Sequence, residues 1–275
     1  MILDLGLHPK NYAVLGGTSY DADAQAFITA AGITDATQKS AVNQLVIDLK
    51  GYSIWTKMKA IYPIVGGTAS THKWNLKDPR DLDAAFRLTF ATGWTHSSTG
   101  MLPNGTTAYA DTFLNTTNNL GLNSGHLSFY SRTNNTTVAI DIGSYKSGAS
   151  PSYSYIYTYY TSPTLRDYRY CENASITRYL SPIRTDGLFL VSRTSNVLNK
   201  GYRNGVIEAS NTSSIASFTS TLNILIGAYN LDGSVLGYSN RQYSFASIGD
   251  GLTDTEATNF YTAVQNYQTT LGRQV

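Results

Sequence analysis

From about residue 84 to residue 250 the apolar residues of this chain recur at every second position, and that period constrains the fold more than any other feature. Side chains of an extended backbone point to opposite faces in turn, so alternation marks half-buried strands. AFRLTFA alternates Phe86, Leu88 and Phe90; TAYADTFL, HLSFYSR, TTVAIDIG, LFLVSR, VIEAS, LNILIGAY and RQYSFASI follow. Turn clusters such as LPNGT, NTTNN, KSGASPS and LDGS part them. KGYRNGVIE sets Asn-Gly between two strand-like pieces, the strongest short-range hairpin signal. About ten short strands without intervening helices predict a mainly β fold, an antiparallel β-sandwich of jelly-roll-like connectivity.

Both ends read as helix. DADAQAFITAAG and ITDATQKSAVNQLVIDLKGY predict two helices. In the second, Thr34 is the expected N-cap, Val42, Leu45, Val46 and Leu49 form the stripe, and Gly51 is the stop. SIWTKMKAIYP predicts a third, short helix ended by Pro63, and the following GGTASTHKWNLKDPRDLD a connector that packs through Trp74. At the other end, Thr253 and Glu256 form a T-x-x-E capping box, and Ala257, Phe260, Tyr261, Val264, Tyr267 and Leu271 make a stripe that must be buried. GLTD here echoes GITD at 32–35, which reads as one capping solution used twice. The expected organisation is a helical and connector region over 1–83 and a sandwich with its C-terminal helix over 84–275.

The balance of residues narrows the function. Only 14% of the 275 residues are charged and the formal net charge is +2, with no basic run, so binding through phosphate neutralisation is not expected. No apolar stretch approaches the roughly 18–20 residues that span a bilayer, and the start shows no signal-peptide pattern. Cys171 is the only cysteine, which leaves no internal disulfide or cysteine-based zinc site. Of the three glutamates, Glu256 belongs to the capping box and Glu208 to a hairpin arm, and no strand aims paired acids into one groove as glycoside hydrolysis requires. Asp78, Asp81 and Asp83 read as turn and cap residues. The histidines are scattered; His96 in GWTHSS invites a Ser–His reading, but no G-x-S-x-G elbow accompanies it. The chain is therefore expected not to be an enzyme and to need no cofactor, with Ca²⁺ in the oxygen-rich NTTNN or LDGS loops the one candidate ion.

The candidate binding residues are aromatic. The chain holds 21 tyrosines, and in SYSYIYTYY (152–160) alternation places Tyr153, Tyr155, Tyr157 and Tyr159 on one face. A tyrosine offers a flat apolar surface with a hydrogen-bonding tip at little entropic cost, which suits a sugar, a protein interface, or a half-wet sheet face equally. Trp94 is the further candidate. Arg166, Arg169, Arg178 and Arg184 follow among more tyrosines, a mixture enriched in protein interfaces.

LPNGTTAYADT (102–112), LFLVSRTSNVLNKGYRNGVIEAS (188–210) and RQYSFASIGDGLTDTEATNFYTAV (241–264) resemble the concanavalin A-like lectin/glucanase superfamily in its laminin-G-like branch. WTKMKAIYPIVGGTASTHKWNLKDPRD and FASIGDGLTDTEA also resemble segments of tailed-bacteriophage structural proteins. The resemblance implies a lectin-like sandwich with one concave sheet and a virion component: a capsid decoration protein, head fibre or tail-associated adhesin. It implies assembly in the bacterial host cytoplasm, a place on the virion surface, other virion proteins as partners, and a homo-oligomer. The paired acids of the glucanases and the metal-binding acids of legume-type lectins are not found, so no site residue carries over. The alternative is a receptor-binding adhesin that holds a host surface glycan, on the same fold.

Overall fold

The computed structural model describes residues 19–161, 164–173, 176–179, 182–213 and 216–275. Its helices are α1 (Ala22–Ala30), α2 (Ala36–Gly51), α3 (Ala69–His72) and α4 (Asp254–Thr270). Its strands run β1 (Met58–Tyr62), β2 (Thr89–Phe90), β3 (Trp94–Ser97), β4 (Gly100–Pro103), β5 (Ala110–Asp111), β6 (Gly125–Ser131), β7 (Ala139–Lys146), β8 (Ser152–Thr161) and β9 (Thr164–Arg169). They continue as β10 (Ile176–Tyr179), β11 (Gly187–Ser195), β12 (Leu198–Arg203), β13 (Val206–Asn211), β14 (Leu225–Ile226), β15 (Tyr229–Leu231), β16 (Ser234–Leu236) and β17 (Tyr243–Gly249).

Two sheets hold these strands. The first has the order β13-β12-β11-β6-β17-β4-β3, with β1 on the other half of β17; the second has the order β10-β9-β8-β7-β14-β5-β2, with β15 and β16 beside β7. All pairings are antiparallel except β15 with β7. The mainly β sandwich with flanking helices that the alternation predicts is the fold found.

The central strands β6, β11 and β17 of the first sheet are buried on both faces along most of their length. Leu127, Phe129, Phe189, Val191, Ala246 and Ile248 meet Ile142, Ile156, Tyr168 and Ile226 of the second sheet. On the opposite face Tyr130, Leu188, Leu190, Tyr202 and Phe245 pack against Phe27, Leu45 and Leu49 from the N-terminal helices and Phe260, Val264 and Tyr267 of α4. Each such fully buried side chain contributes roughly 1.5–3 kcal/mol of transfer free energy. The layers are helix, sheet, sheet, and only the outer face of the second sheet lacks a covering layer of helix or strand among the described residues. Residues on either side of position 83 share one apolar cluster, and β1 pairs with β17 of the first sheet.

Local signals hold where their partners are local. Thr253 and Glu256 close their capping box: the Glu256 N–H donates to Thr253 Oγ1 at 3.3 Å and the Thr253 N–H to Glu256 Oε2 at 2.8 Å. Asn204 and Gly205 turn the β12–β13 hairpin at φ +50° and +74°. Three expectations change. Asp35, not Thr34, caps α2, its carboxylate accepting the Gln38 N–H at 2.8 Å, so GITD and GLTD cap from different positions. Phe86 sits in the left-handed region after a 3₁₀ turn, and strand begins only at Thr89. SIWTKMKAIYP forms a 3₁₀ turn at Trp55–Lys57 and then β1, not a helix. Ala60 and Tyr62 face the sandwich while Ile61 faces the helices. A strand buried on both sides reads as an unbroken apolar run, which period alone cannot tell from helix.

Candidate functional site

The uncovered outer face of the second sheet takes its character from β8. Ser154, Ile156 and Thr158 are buried, while Tyr153 and Tyr157 are half-buried and Tyr155 is 8% exposed. Directly paired residues share a face. Tyr145 of β7 stands opposite Tyr153, and Gly143 opposite Tyr155. On the other side Arg169 of β9 stands opposite Tyr155, and Asp167 opposite Tyr157.

The alternation then breaks. Ile140 pairs with Tyr157 but Ala139 pairs with Tyr159, and Ile142 already pairs with Ile156, so Asp141 and Thr158 are each an extra residue on their strand. The two meet, the Thr158 hydroxyl donating to Asp141 Oδ2 at 2.5 Å. Asp141 is anchored in turn by Arg241 at 3.2 Å, Ser239 at 2.7 Å and Tyr243 at 2.7 Å, all buried. Beyond the bulge Tyr160, not Tyr159, comes beside Tyr157, with ring centroids 5.6 Å apart, and Tyr159 is 8% exposed. The row is therefore Tyr145, Tyr153, Tyr155, Tyr157 and Tyr160.

Its rings are ordered. Tyr145 and Tyr153 stack at 4.2 Å and 16°; Tyr153, Tyr155 and Tyr157 then follow edge to face at 6.2 and 6.3 Å. The Arg169 guanidinium lies 4.6 Å over Tyr153 and 5.4 Å from Tyr155, within cation–π range. Arg169 Nε donates to Asp167 Oδ2 at 2.9 Å, and the Tyr155 hydroxyl donates to the same oxygen at 3.0 Å. Burial raises the Asp167 carboxyl above its usual range, with the charge of Arg169 pulling it back. Burial also raises the phenols of Tyr155 and Tyr157, and the hydrogen bond shared with Tyr153 pushes Tyr145 up to about 12. A groove of about 260 Å³ opens here between Tyr155, Tyr157, Tyr160, Leu165, Asp167, Arg169 and Thr177.

The predicted residues are thus brought together only in part. Tyr153, Tyr155 and Tyr157 share the face; Tyr159 does not extend the row; Trp94 lies on the first sheet. Its indole N–H donates to the Tyr109 carbonyl at 3.0 Å, and its ring packs against Phe90 and Tyr243. His96 faces another histidine: its Nδ1 is 2.9 Å from that of His72. Of the four arginines, Arg166 turns inward to Glu208 and over Phe189, and Arg169 joins the platform. Sequence reasoning missed Tyr145, Tyr160 and Asp167. Alternation through RDYR would have set Asp167 and Arg169 on one face, but not which face.

The remaining acids are committed elsewhere. Glu172 accepts from Asn199 and Asn211, Glu208 from Arg166 and Tyr168, and Glu256 from Lys57. Asp167 is the one carboxylate among the described residues of the groove. Among the described residues no three His, Cys, Asp or Glu side chains cluster as metal ligands, and the NTTNN side chains of Asn115 and Asn119 accept backbone N–H groups of their own turn. Among the described residues no helix is long and apolar enough to cross a membrane.

No protein-family model and no curated protein matches the chain. Among solved structures, a mutant of Trypanosoma rangeli sialidase displaying trans-sialidase activity is similar over 82% of this chain and 39% of its own, at TM-score 0.51 and 8% identity. The CBM40 domain of a Ruminococcus gnavus IT-sialidase, also solved with α2,3-sialyllactose, is similar over 50% of this chain and 82% of its own, at TM-score 0.36 and 15% identity. Domain 4 of the arabinanase AbnA from Geobacillus stearothermophilus, in complex with arabinotriose, covers 74% of this chain and 98% of its own at TM-score 0.35 and 14% identity. The likeness to the sialidase is one of fold, a β-sandwich.

Proposed function

We propose that this chain is a non-catalytic glycan-binding β-sandwich whose tyrosine row receives the sugar. One observation carries the reading: helices cover the first sheet, and the uncovered face of the second bears five tyrosines in a row beside a groove. Aromatic rings fit the C–H faces of a pyranose, and phenol tips and the Asp167–Arg169 pair fit its hydroxyls. Hydrolysis needs two carboxylates across the bond, and Asp167 is the single carboxylate among the described residues of the groove. The test is a glycan-array screen of the full chain, repeated with Tyr157→Ala. Saturable binding that falls about tenfold or more in the variant, with an unchanged unfolding midpoint, is the expected result. Absence of binding on a folded chain overturns the reading.

The second reading is a structural protein on a tailed-phage virion surface. It is favoured by the meeting of the two phage-like stretches: β1 pairs with β17, and Lys57 bonds Glu256 at 2.6 Å, so they form one unit. On that reading the tyrosine face docks another virion protein or a second copy. Mass in solution by light scattering separates the two: a stable oligomer that Tyr157→Ala dissociates, without sugar binding, favours assembly.

A further inference from the structure

Tyr145 and Tyr153 meet as no other tyrosine pair does among the described residues. They stand directly opposite each other on β7 and β8, the closest side-chain neighbours a sheet provides. Their ring centroids are 4.2 Å apart and their planes 16° from parallel, and the Tyr153 hydroxyl donates to the Tyr145 hydroxyl at 3.2 Å. Both hydroxyls therefore lie at the same end of the stack, and the carbons ortho to them face one another across it. The Arg169 guanidinium, 4.6 Å over Tyr153, restrains that ring further. Along the rest of the row the rings meet edge to face, at 76°, 78° and 85°. Tyr145 and Tyr153 are only half-buried, so a small molecule in solution reaches them.

We propose that this pair is a covalent modification site: a one-electron oxidant couples Tyr145 to Tyr153 as dityrosine and so staples β7 to β8. Each phenol gives up one electron and its hydroxyl proton and becomes a phenoxyl radical, whose unpaired spin lies partly on the ortho carbons. The two radicals pair their electrons in one bond between an ortho carbon of each ring. The hydrogen on each of those carbons then returns to its oxygen as a proton, and both rings are phenols again. Two electrons and two protons have left, and one hydrogen peroxide, working through a peroxidase, takes them up to become two waters. Stacking supplies what the coupling otherwise lacks, because partners held in register need no encounter through solution. A disulfide cannot staple these strands, since Cys171 is the chain's single cysteine. The site is independent of sugar binding and uses only the stacked end of the row.

The test treats the dilute, folded full chain with a peroxidase and an equimolar amount of hydrogen peroxide, then maps the tryptic peptides by mass. Cleavage after Lys146 separates the two residues, and Tyr145 is the one tyrosine of the peptide 133–146. The expected product is that peptide joined to 147–166, two hydrogens lighter than the sum of the two, with fragment ions that place the bond at Tyr153, and with blue dityrosine fluorescence. Tyr153→Phe keeps a ring in the stack but has no phenol to oxidise, and is expected to abolish the product. Tyr160→Phe is expected to leave it intact. Links formed mainly at other tyrosines or between molecules overturn the proposal, as does peroxide consumed with no link, or a 133–146 link that survives in Tyr153→Phe. The wild-type map decides even if a variant does not fold.

Discussion

At the residue scale, the platform depends on a position with no side chain. Gly143 sits opposite Tyr155 at φ +153°, and a Cβ there would stand 2.4 Å from both the Ser154 carbonyl oxygen and Tyr155 Cβ. Gly143→Ala is therefore expected to destabilise the fold by about 1–3 kcal/mol, as overpacking does. It should also weaken sugar binding by tilting Tyr155; chemical denaturation and titration of one sample check both. The identity of the row was only partly legible. Tyr153, Tyr155 and Tyr157 follow from alternation alone, because each strand neighbour obeys the same period. Tyr160 does not, because the bulge is held by the Thr158–Asp141 hydrogen bond, and Asp141 by Arg241, a hundred residues away in sequence. Asp167 escaped for a related reason: a buried acid declares itself only through what surrounds it.

At the element scale, α4 shows how far a local signal reaches. Its cap and stripe were readable because both lie within a few residues of one another, and burial of Phe260, Val264 and Tyr267 follows. Thr253→Ala is expected to cost about 1 kcal/mol, seen as a lowered urea midpoint. The remaining contacts of Glu256 with Lys57 keep the helix start in place. β1 is the converse. MKAIY carries no period of its own, and its strand state comes from pairing with Ala246–Gly249 at the other end of the chain. Arg273 closes the same layer from beyond α4: it is buried and donates to the carbonyls of Ile64, Pro63 and Ser244 at 2.7, 3.3 and 3.1 Å.

At the scale of the whole molecule, two buried histidines set the response to acid. His126 donates from Nδ1 to the Asp250 carbonyl and accepts from Ser247 at Nε2, and burial lowers it from 6.5 to about 4. His72 accepts the Gly67 N–H at Nε2, and burial, then His96, lower it to about 3. Both are neutral when folded, whereas the unfolded chain takes up these protons below about pH 6.5. Stability is thus full above pH 6.5 and is lost as pH falls toward 4, by about 3 kcal/mol for His126 alone. Urea midpoints measured from pH 7 to pH 4 should fall, and His126→Gln should flatten that fall. The layered architecture was legible in outline from period and capping; that the helices sit on one sheet and leave the other open was not, since it depends on which face of each strand meets which layer. The pairing of β1 with β17 also bears on biosynthesis. β1 leaves the ribosome long before β17, so a nascent chain carries an apolar strand with no neighbour until β17 is made. Until the last strand emerges, solubility rests on the early helices α1 and α2 and on chaperones that shield such edges.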